Sequence, residues 1–282
     1  MNLKKVFKIS SLAAVAVAAV GLLAACSSSS SSSSSKSQKT VTFATVGTTA
    51  PYSYKDGKDL TGYDIEVARA VFKGSSEYKV KFQQVSWSGM LTGVKGGTYD
   101  MAGNNISYTD ERAKTYLYSN PIGDNPLVLV VPKDSSITSY DQIGGHKTQV
   151  VQGTTTASLL EGYNKEHADK AVDINYTTED ITPILTHVND GQYDFKIFDK
   201  ISVERIIESQ GLDNLKVIDL SSKDSNDISS NSYIYYIFNN DDKDLQAFVN
   251  KRIKELYDDG TLESLSQKYL GGSYLPSKND IK

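Results

Sequence analysis

Strand-like and helix-like segments alternate along almost the whole chain beyond its N-terminal region. Apolar runs such as Leu127–Val131 and Tyr233–Phe238 have the length and the β-branched content of buried strands. Amphipathic segments lie between such runs, and one of them places Ile65 and Phe72 on the same helical face. This alternation is typical of an α/β fold with largely parallel sheets. Because the body is long for one sheet, we predict two α/β lobes with these two runs as crossovers.

The N-terminus has the layout of a secretory signal. Three lysines, Lys4, Lys5 and Lys8, precede a charge-free apolar run from Ile9 to Ala25. Such a segment is removed after export and is not part of the fold. A single membrane-spanning anchor is the alternative, but the run is shorter than the roughly 20 apolar residues that cross a bilayer.

The apolar run ends in Leu23-Ala24-Ala25-Cys26, which resembles the lipobox of bacterial lipoproteins. The resemblance implies that the thiol of Cys26 carries diacylglycerol and that Cys26 becomes the new N-terminus. Cys26 is the single cysteine of the chain, so it cannot form an internal disulfide. A plain signal peptide with a chance cysteine is the alternative. The serine run 27–35 that follows predicts a flexible tether.

Composition excludes several classes of function. The formal net charge is −4, and no cluster of basic residues is large enough to bind nucleic acid. The three histidines have no metal-ligand spacing, and no nucleophile motif is present. We therefore predict no catalytic residue, no metal and no cofactor. An enzyme remains the first alternative.

Polar residues follow the predicted strands, where open α/β sheets bind ligands. They come after the strands predicted at 100–103, 148–151 and 193–198. In chain order they are Asn104, Asn105, Ser107, Arg112, Gln152, Gly153, Thr154, Thr155 and Asp199.

These residue types suit an α-amino acid. Arg112 can hold a carboxylate through two parallel N–H bonds. The helix start at 153–155 favours an anion, and Asp199 suits an ammonium group. Tyr52, Tyr54 and Trp87 are candidate apolar walls. Each residue also has a plainer interpretation, such as a capped surface helix at Arg112, an ordinary turn at 153–155 or a helix cap at Asp199.

Four ordered motifs carry a resemblance to a known family. They are Pro51–Tyr54 followed by Gly62–Ala68, Asn105–Arg112 with Tyr118–Pro121, Gln152–Thr155, and Asp194–Asp199. From about residue 40 to 272 the chain resembles the family 3 extracellular solute-binding proteins, the receptors of polar amino-acid importers. A few relatives of that family are dehydratases.

The resemblance implies a two-lobed periplasmic-binding-protein-like fold of type II, with two hinge strands and a cleft that closes on the ligand. By motif position, Arg112 and Thr155 hold the α-carboxylate and Asp199 holds the α-ammonium group. Trp87 stacks on the ligand side chain, and Asn104, Asn105 and Ser107 add hydrogen bonds. No acid is available at 46–49 for a cationic side chain, which argues against lysine, arginine and histidine as ligands.

The predicted organisation follows from these features. It comprises a signal peptide (1–25), lipidated Cys26 with a serine-rich tether (26–39), a first part of lobe 1 (40–126), lobe 2 (127–232), the return of lobe 1 (233–272) and a C-terminal tail (273–282).

The expected function is that of a monomeric lipoprotein on the extracellular face of a Gram-positive-type membrane, delivering its ligand to an ABC permease. The wording Asn104-Asn105-Ile106-Ser107-Tyr108-Thr109, with Asp199-Lys200-Ile201 and Tyr274-Leu275-Pro276, looks like streptococcal receptors for cystine or glutathione. A receptor for glutamine or another polar amino acid, and a surface sensor or adhesin that transports nothing, are the alternatives.

Overall fold

The computed structural model describes residues 37–220 and 233–282, so the predicted signal peptide, Cys26 and the serine run lie outside the described residues. Within these ranges the strands, numbered β1 to β13 in chain order, are Lys39–Thr45, Tyr54–Asp56, Asp59–Thr61, Tyr78–Gln84, Met101–Ser107, Tyr116–Tyr118, Gly123–Asp124, Leu127–Pro132, Lys147–Val151, Asp173–Thr177, Lys196–Asp199, Leu215–Asp219 and Tyr233–Asn239. The α-helices there, α1 to α8, are Tyr63–Phe72, Trp87–Lys95, Asp110–Ala113, Thr155–Glu166, Ile181–Asn189, Lys200–Gln210, Lys243–Asp258 and Thr261–Leu270. None of the described helices is both long enough and apolar enough to span a bilayer.

The first sheet has six strands in the order β4-β1-β5-β13-β6, with β7 also paired to β13. Strand β1 runs parallel to β4 and β5, whereas β13 runs antiparallel to β5, β6 and β7. Helices α1, α7 and α8 cover one face of this sheet through a large apolar cluster, and α2 covers the other face. The buried positions Leu245, Val249, Ile253 and Leu256 show the helical spacing that fits α7 to this core.

The second group of strands joins β11, β8 and β12 in that order, while β9 pairs with β10. A parallel bridge from Thr148 to Phe195 connects β9 to β11. In β8, Leu129 and Val131 face a cluster that includes α4, and Val128 and Val130 face α5 and α6. Helices on both faces explain why β8 is apolar at every position, since no face of the strand meets water.

The chain changes from one group of strands to the other between β7 and β8, and changes back between β12 and β13. The expectation of largely parallel sheets is wrong at these strands, because β8 is antiparallel to β11 and β12, and β13 is antiparallel to its neighbours. Strand β8 enters the second group from the first sheet, and β13 returns to the first sheet from the second group, so neither direction is set by a βαβ crossover within one group. The fold is nevertheless the predicted α/β, two-lobed, periplasmic-binding-protein-like fold. The predicted lobe boundaries stay predictions, and residues 221–232 lie outside the described residues.

Strand β5 is longer than predicted, and this matters for the site. The sequence predicts that the strand ends at Gly103, but it continues to Ser107 and pairs with β13 across an irregular register near Tyr235 and Ile237. Asn105 within it has φ of 53°, in the left-handed region that asparagine tolerates better than most residues. The polar residues Asn104, Asn105 and Ser107 therefore belong to a strand, which fixes the directions of their side chains.

Candidate functional site

A cavity of about 370 Å³ is lined by residues of both groups of strands. It contains eight of the eleven residues that the sequence predicts for ligand binding, namely Trp87, Asn104, Asn105, Ser107, Arg112, Thr154, Thr155 and Asp199. Tyr52, Gln152 and Gly153 are not among the residues that line it. The cavity is therefore the candidate site, and its lining differs from the prediction at three positions.

Arg112 lies at the end of α3, whose first turn is capped by the Thr109 hydroxyl, 3.1 Å from the Arg112 amide. The capped helix of the plainer interpretation is thus present, but the arginine side chain is buried. Its guanidinium donates to the carbonyls of Ser107 (2.9 Å) and Gly153 (2.8 Å), and Nη1 lies 3.3 Å from the Thr155 hydroxyl. Burial lowers the pKa of Arg112, although so strong a base stays charged at neutral pH.

Arg112 forms no ion pair among the described residues. Its protein partners are neutral oxygens, so its positive charge in the cavity is not compensated by a carboxylate there. A buried charge is stable when it is paired, and a ligand carboxylate is a suitable partner.

Asp199 is the last residue of β11 and the N-cap of α6, with the Ser202 amide donating to Oδ1 at 2.8 Å. Tyr52 donates to the same oxygen from 3.1 Å, and the Asn105 amide group donates to Oδ2 from 3.0 Å. Burial raises the pKa of Asp199 to about 6, against the lowering effect of these hydrogen bonds. The carboxylate is ionised at neutral pH and has no cationic partner among the described residues, which suits it to an ammonium group.

Asn105 is held by hydrogen bonds to its backbone and to its side chain. The buried carboxylate of Asp64 accepts the backbone N–H of Asn105 at 2.6 Å, and Asn125 donates to Asn105 Oδ1 at 2.8 Å. Burial raises the pKa of Asp64 to about 7. Because these contacts fix both the backbone and the side chain of Asn105, they also fix the donor that reaches Asp199. Asn125 lines the cavity, and the sequence reasoning did not identify it.

Tyr52 does not form an apolar wall of the cavity. It is fully buried, and its hydroxyl lies 3.1 Å from Asp199 Oδ1 and 3.3 Å from Asn125 Oδ1. The prediction failed because the motif shows that a tyrosine is present but not which way its ring points. Tyr52 supports Asp199 from the core side.

The loop before α4 shows a similar division of roles. Thr154 caps the helix through the Ala157 amide (3.3 Å), and Thr155 is its first residue. Gln152 and Gly153 are exposed and lie off the cavity, although the Gly153 carbonyl accepts from Arg112. The free N–H groups at the start of α4 add to the positive potential beside Arg112.

Two further predicted residues differ in their freedom to bind a ligand. Asn104 already bonds within the protein, accepting from the Val46 amide at 3.2 Å and donating to the Thr49 hydroxyl at 3.0 Å. The indole Nε1 of Trp87, in contrast, is buried and has no hydrogen-bond partner among the described residues. The Trp87 ring also lies 5.5 Å from the Arg112 guanidinium carbon. Trp87 therefore brings an aromatic surface to the cavity beside Arg112.

Sequence reasoning missed one side of the cavity, formed by residues 178–181 at the start of α5 and by Lys196. The Thr48 hydroxyl donates to Asp180 at 2.8 Å, which links this side to the loop after β1. Glu179 and Asp180 also place acids at the cavity, so the lack of an acid at 46–49 does not by itself argue against a cationic ligand. A charged residue inside the otherwise apolar stretch 195–198 was the available signal for Lys196.

Comparisons with known proteins agree with this geometry. The family model for bacterial extracellular solute-binding proteins, family 3, matches residues 41–272. A solved structure from work on glutathione import through GshT and the cystine ABC importer TcyBC of Streptococcus mutans is 59% identical with a TM-score of 0.82, and the match covers 86% of this chain and 100% of that chain.

Curated relatives are more distant. The L-cystine-binding protein TcyA of Bacillus subtilis is 29% identical over 82% of this chain and 81% of its own length. The probable amino-acid-binding protein YxeM of the same organism is 32% identical over 79% of this chain and 81% of its own length. The match of the family model over most of the chain decides the classification: the chain belongs to the bacterial extracellular solute-binding proteins, family 3.

Proposed function

We propose that this chain is the substrate-binding lipoprotein of an ABC importer and that it captures cystine or glutathione outside the cell. The observation that carries the proposal is the presence of two unpaired, opposite charges, Arg112 and Asp199, in one cavity. A free α-amino acid group carries the complementary pair of charges, and both cystine and the γ-glutamyl end of glutathione contain such a group.

The proposed binding mode uses both groups of strands. The ligand α-carboxylate contacts Arg112 and Thr155 beside the start of α4, and the α-ammonium group contacts Asp199. Trp87 supplies an aromatic face for the rest of the ligand. Tyr52 and Asn125 orient the groups that make these contacts, so they act as positioning residues.

The choice of cystine or glutathione is supported by the relatives. The charges of Arg112 and Asp199 do not decide it, because any α-amino acid could pair with them. The 59% identical structure comes from work on glutathione and cystine import, and TcyA is an L-cystine-binding protein. The cystine ABC importer named with the 59% identical structure supports delivery to a membrane permease. The motif at Cys26 supports attachment to the membrane through a lipid, with the serine run as a tether.

The test is calorimetry of the full chain with cystine, glutathione and their des-amino forms. Losing one partner of a buried charged contact typically costs 2–5 kcal/mol, so Arg112→Ala and Asp199→Ala are each expected to weaken binding by roughly 30-fold or more. Wild type is expected to bind the des-amino ligands poorly, and Asp199→Ala is expected to discriminate much less against them.

Lys147→Ala serves as the matched control, because Lys147 is an exposed charge at the start of β9 that does not line the cavity. It is expected to bind like wild type. Tight binding that ignores both the Arg112 and the Asp199 substitution would show that the two charges are only structural.

A further inference from the structure

Lys196 is a buried lysine in the wall of the same cavity. Its exposed fraction is 2%, and it lies at the start of β11, three residues before Asp199. Its ammonium group donates to the backbone carbonyl of Gln149 at 2.9 Å and lies 5.8 Å from the centroid of the Phe198 ring. An ammonium group has three N–H donors. Among the described residues only the Gln149 carbonyl accepts a hydrogen bond from it, so the remaining donors have no acceptor there.

No ion pair among the described residues includes Lys196. The two acids on this side of the cavity, Glu179 and Asp180, are exposed. Glu179 already accepts a hydrogen bond from Gln149, and Asp180 accepts one from Thr48. Burial without a counter-charge lowers the pKa of Lys196 to about 7. A lysine in this position is costly for folding, so its presence in the cavity wall is better explained by ligand binding than by stability.

The position of Lys196 separates it from the site of the α-amino acid group. Three residues of an extended strand span about 10 Å, so the backbone of Lys196 lies well away from that of Asp199 along β11. The Arg112 guanidinium lies against the Gly153 carbonyl and the Thr155 hydroxyl at the start of α4, whereas the Lys196 ammonium lies against the Gln149 carbonyl within β9. One α-carboxylate held between Arg112 and Thr155 therefore leaves Lys196 for another group.

We propose that Lys196 binds a second carboxylate of the ligand, so that this receptor selects amino-acid derivatives with an acidic group beyond the α-carboxylate. This inference rests on the proposed function, because it assumes that Arg112 and Asp199 hold the α-amino acid group. Glutathione and cystine both carry a second carboxylate, whereas glutamine does not. Lys196 thus sets the ligand class more narrowly than the two opposite charges do.

The experiment compares ligands that differ in one charge. Calorimetry is done on the full chain with glutathione, its C-terminal amide, cystine and cystine monoamide, using wild type, Lys196→Met and the exposed-site control Lys147→Met. Wild type is expected to bind glutathione or cystine, or both, about tenfold or more tightly than the amide of the same ligand, because the amide lacks the charge that pairs with Lys196. In Lys196→Met the preference is expected to fall to about threefold or less, while Lys147→Met keeps it.

The outcomes separate the two proposals. Equal binding of acid and amide by wild type overturns the role of Lys196, whether or not the variant folds. An acid preference that persists in Lys196→Met, with apo unfolding like that of wild type, overturns it as well. In both of these cases, binding that still depends on Arg112 and Asp199 would support the proposed function while the role of Lys196 is rejected. If wild type binds neither glutathione nor cystine, both proposals are overturned.

Discussion

The hydroxyl of Tyr52 offers a direct test of how the core tunes the cavity. It lies 3.1 Å from Asp199 Oδ1, and this hydrogen bond lowers the pKa of a carboxyl group that burial raises to about 6. The proposed ligand ammonium pairs with the ionised form of Asp199. Affinity is therefore expected to fall as the pH drops below about 6, and Tyr52→Phe is expected to move this fall to higher pH.

The size of the shift follows from the strength of the bond. A hydrogen bond to a charged group contributes about 1.5–3 kcal/mol, and each pKa unit corresponds to about 1.4 kcal/mol. The Ser202 amide and Asn105 still donate to Asp199 in the variant, so we expect the lower end, a shift of about one unit. That change weakens binding by nearly tenfold below about pH 5.5 and by less than about twofold near pH 8.

The assay is calorimetric titration of wild type and Tyr52→Phe with cystine and with glutathione, from about pH 5 to about pH 8. Tyr63→Phe is the matched control, because Tyr63 is equally buried and its hydroxyl donates to the Ile122 carbonyl rather than to Asp199. Asp199→Asn is expected to abolish the fall at low pH altogether. Curves for Tyr52→Phe that fall at the same pH as wild type would refute the link between this hydroxyl and ligand binding.

The remaining predictions concern the anchor and the Asp64 carboxylate. Cys26→Ala is expected to release the protein into the medium or to leave an uncleaved precursor, as fractionation and mass measurement would show; unchanged processing and membrane retention would contradict the lipoprotein assignment. Burial raises the pKa of Asp64 from 3.8 to about 7, so the folded apo protein binds a proton that the unfolded chain has lost, and stability falls as the pH rises through this window. Between about pH 6 and pH 7 this group lowers the stability by roughly 1 kcal/mol, and denaturant unfolding of Asp64→Asn is expected to lack this contribution. An equal loss of stability in that variant would assign the effect to another group.

Much of the fold follows from local patterns in the sequence. The apolar runs predicted as strands at Leu127–Val131 and Tyr233–Phe238 are found as β8 and β13, and the helix predicted to start at 153–155 is α4. These segments were predictable because periodic burial and capping act over a few neighbouring residues. The short strands at 54–56 and 116–118 were missed, since segments of three residues have too little periodicity to be recognised.

The sequence by itself indicated two of the charged groups that line the cavity, because Arg112 and Asp199 belong to motifs with a recognisable order, but it did not indicate Lys196. Tertiary structure alone decided which side chains face the cavity. Tyr52 turns into the core, whereas Lys196 turns from an apolar strand into the cavity wall. The physical reason is that burial depends on elements distant in sequence: Lys196 bonds to Gln149 on β9, and Tyr52 bonds to Asp199 on β11.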